Sequence, residues 1–363
     1  MQQTVVALAQ DFVGSNNVPL LLPIGQFGTR RLGGDDTASA RYIFTRVSPV
    51  AALAFPPEDL PLAPQQEDEG QFIEPRYLLP VIPWILVNGA AGIATGFSTT
   101  VPPHDPRAVV AAVRASVLGT GPGAALEMHV AGFTGAIRSE PARYTTDATV
   151  EPHAGGRAHV VVELPVGVWT EGYKETLDRL IEAKKARSFV DESTDTAVRF
   201  VVTGSSAAAL RVSRHVSRRN MHALDADGAL RLWTSAEEIV AYFVAHRAPL
   251  YTRRHEARAA KLEAEIDRRV RTLRVCTRVA SGDVTVFADD EPDAGDAMDV
   301  PLRACTPARR AALAAQIAAL REDLERHGAS SPTDAWIADL DALDRELAAC
   351  NYGTAIGAGS ENI

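Results

Sequence analysis

Val5, Val6, Leu8, Ala9, Phe12 and Val13 share one helical stripe, so the chain opens with a helix that reaches Val13. Residues 14–17, "GSNN", end it, and Pro19, Pro23, Gly25 and Gly28 break the next stretch into short extended pieces. Tyr42 to Thr45 has strong strand preference. It follows a glycine-rich, acidic loop built for turns. Ser48 and Pro49 have the residue types that start a helix. Pro56 to Gly70 is proline-rich and acidic and predicts a loop. Glu74 to Pro106 is apolar but interrupted by Gly89, Gly92 and Gly96, which predicts tight turns rather than a long helix. Asp105 and Pro106 then open a helix.

Further on, strands are expected at Ala136–Ile137, His159–Glu163 and Val198–Thr203, with a helix over Thr170–Glu182. That mixture is an α+β fold. After Ser235 the period becomes helical over a long stretch, with Pro249 placed to kink it. Ser281 to Val300 is acidic and predicts a loop. Thr306-Pro307 and Ser331-Pro332 start two more helices. Leu313, Ile317, Leu320 and Leu324 form a stripe suited to an antiparallel coiled coil against Lys261 to Val275. Residues 351–363 read as a tail.

With 363 residues the chain has room for two or three domains. A composition that is 46% hydrophobic and 23% charged excludes wholesale disorder. Cys276, Cys305 and Cys350 make neither a zinc spacing nor a disulfide framework, which matches a reducing compartment. No basic-then-apolar leader opens the chain, and no apolar run is long enough for a bilayer. The expectation is an intracellular, soluble protein, neither secreted nor membrane-bound. A net charge of −9 speaks against a polyanion partner, yet arginine is dense from Arg211 to Arg278. That run is either a solvated face or a local footprint for nucleic acid.

Longer motifs decide the direction. "LAQDFVGSNNVPLLLPIGQFGTR", "SARYIFT", "LPVIPWILVNGAAGIATGFS", "VELPVGVWTEGYKETL" and "STDTAVRFVVT" occur in this order. With the later helices, they closely resemble the breakage-reunion region of eukaryotic-type DNA topoisomerase II, over nearly the whole chain. The resemblance implies the C-terminal part of a winged-helix domain over residues 1–83 and a tower domain over 84–234. A coiled-coil arm with a shortened exit gate follows over 235–350, then a tail over 351–363.

The resemblance also implies tyrosine transesterification. Tyr42 falls on the family's nucleophile, which becomes joined to a 5′ phosphate of DNA. A free phenol has a pKa of about 10, so it needs a base, a metal or a cationic neighbour at neutral pH. Arg41 falls on the arginine that holds the scissile phosphate, where a planar fork suits oxyanion charge. Ile93 falls on an apolar wedge that enters between base steps and bends the duplex. Gln26, Thr29 and Arg30 fall beside the DNA, Arg30 as a phosphate contact. Lys174 is implied as a DNA contact and Trp169 as packing.

Departures from the family pattern bear on the partners. Leu32-Gly33-Gly34-Asp35-Asp36 stands where the family reads His-Gly-Gly-Lys-Asp, and Gly167 stands where it reads arginine. The ATPase, transducer and toprim modules are expected upstream of Met1, and no phosphate-cradling glycine loop or Asp-x-Asp cluster is present. Mg2+ and ATP are therefore expected only through a toprim/ATPase polypeptide or missing modules, with none bound by this chain. The expected partners are double-stranded DNA, that polypeptide, and a second copy in a homodimer or heterotetramer, in the nucleus. The alternative is a truncated, noncatalytic DNA-binding or scaffold protein, which the acidic substitutions favour.

Overall fold

Helix α1 (Gln2–Ala9) ends where Gln10 takes an extended backbone, short of the Val13 that the apolar stripe predicts. Asn16 explains the stop: its Nδ2 donates to the Ala7 and Gln10 carbonyls at 2.7 and 2.8 Å. A side-chain amide thus satisfies an orphaned helix-end carbonyl in place of a further turn. The computed structural model describes residues 1–350 apart from 122, 154, 155, 157, 284 and 286–300. It comprises two compact units, Met1–His246 with the chain from Asp339 onward, and Arg247–Ala338.

In the first unit β1 (Leu21–Ile24) pairs antiparallel with β2 (Phe44–Val47), Ile24 opposite Phe44. Between them Ala40–Tyr42 is a 3-10 turn, so Tyr42 lies in a turn and not in the strand its sequence predicts. Helix α2 (Pro49–Ala54) starts as expected, with Ser48 Oγ accepting the Ala51 N–H at 3.1 Å. The proline-rich stretch conceals a hairpin, β3 (Gln65–Asp68) with β4 (Gln71–Pro75), turning through Glu69 and Gly70 at positive φ. That turn geometry matches the twist of the two strands. A second hairpin replaces the expected tight turns: after α3 (Trp84–Asn88), β5 (Ala90–Ala94) pairs with β6 (Phe97–Val101).

Helix α4 (Pro106–Val117) is capped by Asp105, whose Oδ1 accepts the Arg107 N–H at 2.8 Å. It buries Val109, Val110 and Val113, while Arg107 and Arg114 pair with Asp344 and Asp341. The elements that follow are β7 (Ile137–Glu140), β8 (Arg143–Asp147), β9 (Thr149–Pro152), β10 (Ala158–Glu163), α5 (Thr170–Glu182), β11 (Ser188–Asp191) and β12 (Phe200–Thr203). Next come α6 (Ala207–Leu210), β13 (Ser213–Ser217), β14 (Met221–Leu224) and β15 (Leu230–Trp233). One antiparallel sheet runs β11-β12-β10-β9 and another β13-β8-β7.

The core of this region joins Val161, Phe200 and Val202 of the first sheet to Tyr173 and Leu177 of α5 and Leu210 of α6. Tyr173 donates its hydroxyl to the Leu210 carbonyl at 2.8 Å, and burial pushes its phenol pKa well above the ordinary value.

Helix α7 (Ala236–Ala280) continues through Pro249 without a break. Within Arg247–Ala338, α8 (Pro307–Ala329) runs back along α7, and α9 (Pro332–Ala349) begins. Tyr251 stacks on Trp336 at 4.7 Å between ring centres, and His255 stacks on His327 at 3.9 Å. Farther along α7, Arg269 donates to Gln316. Advancing along one helix retreats along the other, the antiparallel arrangement that the leucine stripe predicts. Ile317 is buried, with Leu313, Leu320 and Leu324 half-buried. Most of the expected Ser281–Val300 loop, and with it the shortened exit gate, lies outside the described residues, as does the tail 351–363.

Candidate functional site

The loop of residues 25–39 is folded tightly on glycine. Gly28 has φ 97°, and a Cβ there would lie 2.5 Å from the Gly34 Cα. Gly33 has φ 65°, and a Cβ there would lie 2.2 Å from Trp169 Nε1. Only glycine allows this left-handed backbone to pack so closely. Trp169 is therefore the floor of the loop, the packing role expected of it, with Phe12 edge-on to its ring at 5.8 Å.

Asp36 ties the loop across. Its carboxylate accepts the Thr29 N–H at 2.8 Å, the Thr29 hydroxyl at 2.6 Å and the Gln26 side-chain amide at 3.4 Å. Burial pushes its pKa up, but the Thr29 hydrogen bonds and the Arg31 charge outweigh this and hold it below the ordinary carboxylate value. A backbone bond from Ala38 N–H to the Gln26 carbonyl, 3.0 Å long, closes the loop. Asp35, the residue that replaces a family lysine, is exposed.

Tyr42 follows directly, with its N–H donated to the Ser39 carbonyl at 2.9 Å. Its side chain is 64% exposed, and the Arg41 guanidinium carbon lies 4.9 Å from its ring centre. Phenol and planar cation thus stand side by side at the surface. Ile93 is on the β5–β6 hairpin, opposite Ser98, and is 93% exposed. Its side chain therefore takes no part in the packed core. Strand β14 supports the hairpin: Thr99 Oγ1 donates to the His222 carbonyl at 2.6 Å, and the Thr100 N–H donates to the Asn220 carbonyl at 3.2 Å.

Other implied contacts are placed differently. Arg30 is 4% exposed, and its guanidinium pairs with Glu163 of β10 and donates to the Leu164 carbonyl at 3.1 Å. This corrects the phosphate contact expected of it, because the charge is spent inside the fold. Thr29 is likewise buried, its hydroxyl given to Asp36. Gln26 is exposed beside Asp36.

Lys174 is half-buried, its Nζ 2.8 Å from Asp191 and 2.9 Å from Glu171. Hydrogen bonds to those two carboxylates push its pKa up. Arg31 joins the same cluster, 2.8 Å from Glu171. Asp36 and Glu163 carry structural roles that sequence reading missed. The one signal for Glu163 was a carboxylate ending the apolar run "HVVVELP".

Known proteins bear on this arrangement. The family model for the A-type subunit of DNA gyrase/topoisomerase IV matches residues 1–339. The chain belongs to that family. Among the relatives of this family member, the mitochondrial DNA topoisomerase 2 of Dictyostelium discoideum is 34% identical over 306 residues, covering 81% of this chain and 24% of that protein. DNA topoisomerase 2 of Drosophila melanogaster is 38% identical over 288 residues, covering 74% and 20%. The topoisomerase 2 top-2 of Caenorhabditis elegans is 40% identical over 292 residues, covering 73% and 19%. The chain thus spans about a quarter or less of the length of these relatives.

A crystal structure of the Plasmodium falciparum topoisomerase II DNA-binding, cleavage and re-ligation domain has the same fold. Its TM-score is 0.88 at 24% identity, covering 96% of this chain and 55% of that one. The α+β reading with long helices holds, and so does the resemblance to eukaryotic topoisomerase 2.

Proposed function

We propose that this chain is the DNA-cleaving part of a type II DNA topoisomerase, with Tyr42 as nucleophile. The observation that carries the reading is the exposed Tyr42 phenol beside the Arg41 guanidinium, in a chain of this family. Tyr42 Oη attacks phosphorus and gives up its proton. The bond from phosphorus to the 3′ oxygen breaks, and that oxygen leaves and takes a proton. The product is a phosphotyrosine at the 5′ end, which stores the bond energy for resealing. Arg41 supplies the planar fork for the developing charge, Ile93 the wedge for bending, and Gln26 and Lys174 the contacts at the rim. Residues 1–83, 84–234 and 235–350 serve as partial winged helix, tower and coiled-coil arm.

Magnesium is implied by the family, but the residues here do not fit a site for it. Among the described residues no three His, Cys, Asp or Glu side chains cluster to hold a metal, and the oxygens of Asp36 are taken by Thr29 and Gln26. No step is therefore assigned to a metal in this chain. Toprim and ATPase modules, from a partner polypeptide or from further sequence, bring magnesium and ATP. Strand passage then uses two copies, one Tyr42 for each strand, inside the nucleus. Among the described residues no helix is long and apolar enough to cross a membrane.

The test mixes the chain with end-labelled duplex, magnesium and a toprim-containing fragment of a related topoisomerase, and resolves covalent adducts on a denaturing gel. Label that follows the protein only with the fragment present, and never with Tyr42→Phe, is the expected result. Tight DNA binding without any adduct, across fragments from several relatives, supports a scaffold role instead.

A further inference from the structure

Glu163 stands at the end of β10, between Val161 and Leu164, which are fully buried. Both of its oxygens are saturated. One accepts Arg30 and the Leu164 N–H at 2.8 Å, and the other accepts the Thr134 hydroxyl at 2.8 Å and the Thr134 N–H at 3.2 Å. The carboxylate is held on every side, and it holds Arg30 in turn. A buried ion pair of this kind contributes little net stability, because desolvation offsets attraction, yet the four contacts to Glu163 fix where the Arg30 guanidinium sits.

That geometry passes along the chain toward Tyr42. Thr29, next to Arg30, binds Asp36 through both its N–H and its hydroxyl, and its carbonyl accepts the Gly34 N–H at 3.0 Å. Gln26 and Ala38 close the two limbs of the loop, and Ser39 to Tyr42 follow without a gap. A second tie sits nearer the surface, where the Glu171 N–H at the start of α5 donates to the Arg31 carbonyl at 3.1 Å. Arg31 and Glu171 are both partly exposed, whereas Arg30 and Glu163 are buried.

We propose that Glu163 is a positioning residue for the Tyr42 nucleophile, acting through Arg30 on the loop that carries it. This rests on the cleavage reading above. It accounts for an arginine that lies in a DNA-facing motif yet has no surface to offer a phosphate. The winged-helix segment and the tower are thereby joined at a buried ion pair close to the loop, and the reacting oxygen inherits its place from the tower. A misplacement of about 1 Å at such a group costs about 100-fold in rate.

The experiment compares the full chain with Glu163→Gln and Arg30→Gln. Three quantities are read: the adduct rate with the toprim fragment, DNA affinity across a salt series, and hydrogen exchange of the amides of residues 26–42. The expected result is faster exchange at Gly34 and Ala38 and an adduct rate lower by about 100-fold. DNA affinity and its salt dependence stay as in the unaltered chain.

A loss of affinity with a salt slope shallower by about one makes Arg30 a phosphate contact and overturns the proposal. So does unchanged exchange in the loop, whatever the rate. An unaltered chain that forms no adduct defeats the cleavage reading, while the exchange comparison still decides whether Glu163 holds the loop. Should Glu163→Gln not fold, Glu163→Asp keeps the charge, shortens the reach and carries the same comparison.

Discussion

The guanidinium carbon of Arg41 lies 4.9 Å from the centre of the Tyr42 ring. The two side chains are adjacent in sequence, and the 3-10 turn at Ala40–Tyr42 presents both to solvent. On the proposed reading this exposure suits a macromolecular substrate, because the phosphodiester arrives at a surface rather than in a pocket. Tyr42→Phe removes the attacking oxygen and is expected to abolish adduct formation. Arg41→Ala leaves the phenol but removes the fork, and is expected to lower the rate by about 100-fold or more. Arg41→Lys restores the charge without the planar geometry, and recovers only part of that loss. Single-turnover adduct formation with the toprim fragment measures all three.

Ile93→Ala tests the wedge. Without the side chain the cost of unstacking is no longer offset, so the duplex is expected to stay straight when bound. Energy transfer between dyes at the two ends of a short duplex reports the bend. Affinity is expected to fall by about tenfold or less, since phosphate contacts remain. A bend angle unchanged in the variant would assign the bending elsewhere.

Asp35→Lys places in the loop the positive charge that the resemblance implies there. Asp35 is exposed, so the change meets no packing barrier. Binding is expected to tighten, with a salt slope steeper by about one for the added phosphate contact. Fluorescence anisotropy across a salt series checks it.

Gly33→Ala addresses the floor of the loop. At φ 65° an added Cβ lies 2.2 Å from Trp169 Nε1. Left-handed strain and overpacking together are expected to cost about 2–4 kcal/mol. The melting temperature is expected to drop by roughly 5–10 °C, as differential scanning calorimetry would show.

The pH response follows from Asp36. Its pKa is lowered in the folded chain: burial opposes this, but the Thr29 hydrogen bonds and the Arg31 charge prevail. The carboxylate therefore stabilises the loop fully above its ordinary value of 3.8. That stabilisation is lost as pH falls through the lowered folded value. Stability measured in acid is expected to decline there in the unaltered chain, and the decline is expected to be smaller in Asp36→Asn. Equal profiles for the two would remove Asp36 from the account.

Legibility in the sequence followed distance. The helices with local start signals, Pro49–Ala54, Pro106–Val117 and Pro307–Ala329, begin where Ser48, Asp105 and Thr306 predict. The hairpin at Ala90–Ala94 and Phe97–Val101 was hidden, because its glycines carry no strand preference and the residues that brace it, Asn220 and His222, lie far along the chain. The surface placement of Tyr42 and Ile93 agrees with what their motifs imply, because motifs record side-chain type. The fate of Arg30 was not legible, because its partner is 133 positions away and a motif does not say which way a charge faces.

The shape of the loop is set by Gly28, Gly33, Asp36 and the anchored Arg30, and Asp35 takes no part in any of these constraints. Architecture and electrostatic grip are therefore written in separate codons. Changing that one surface letter alters the charge the loop presents, while the packed geometry of the loop is inherited intact.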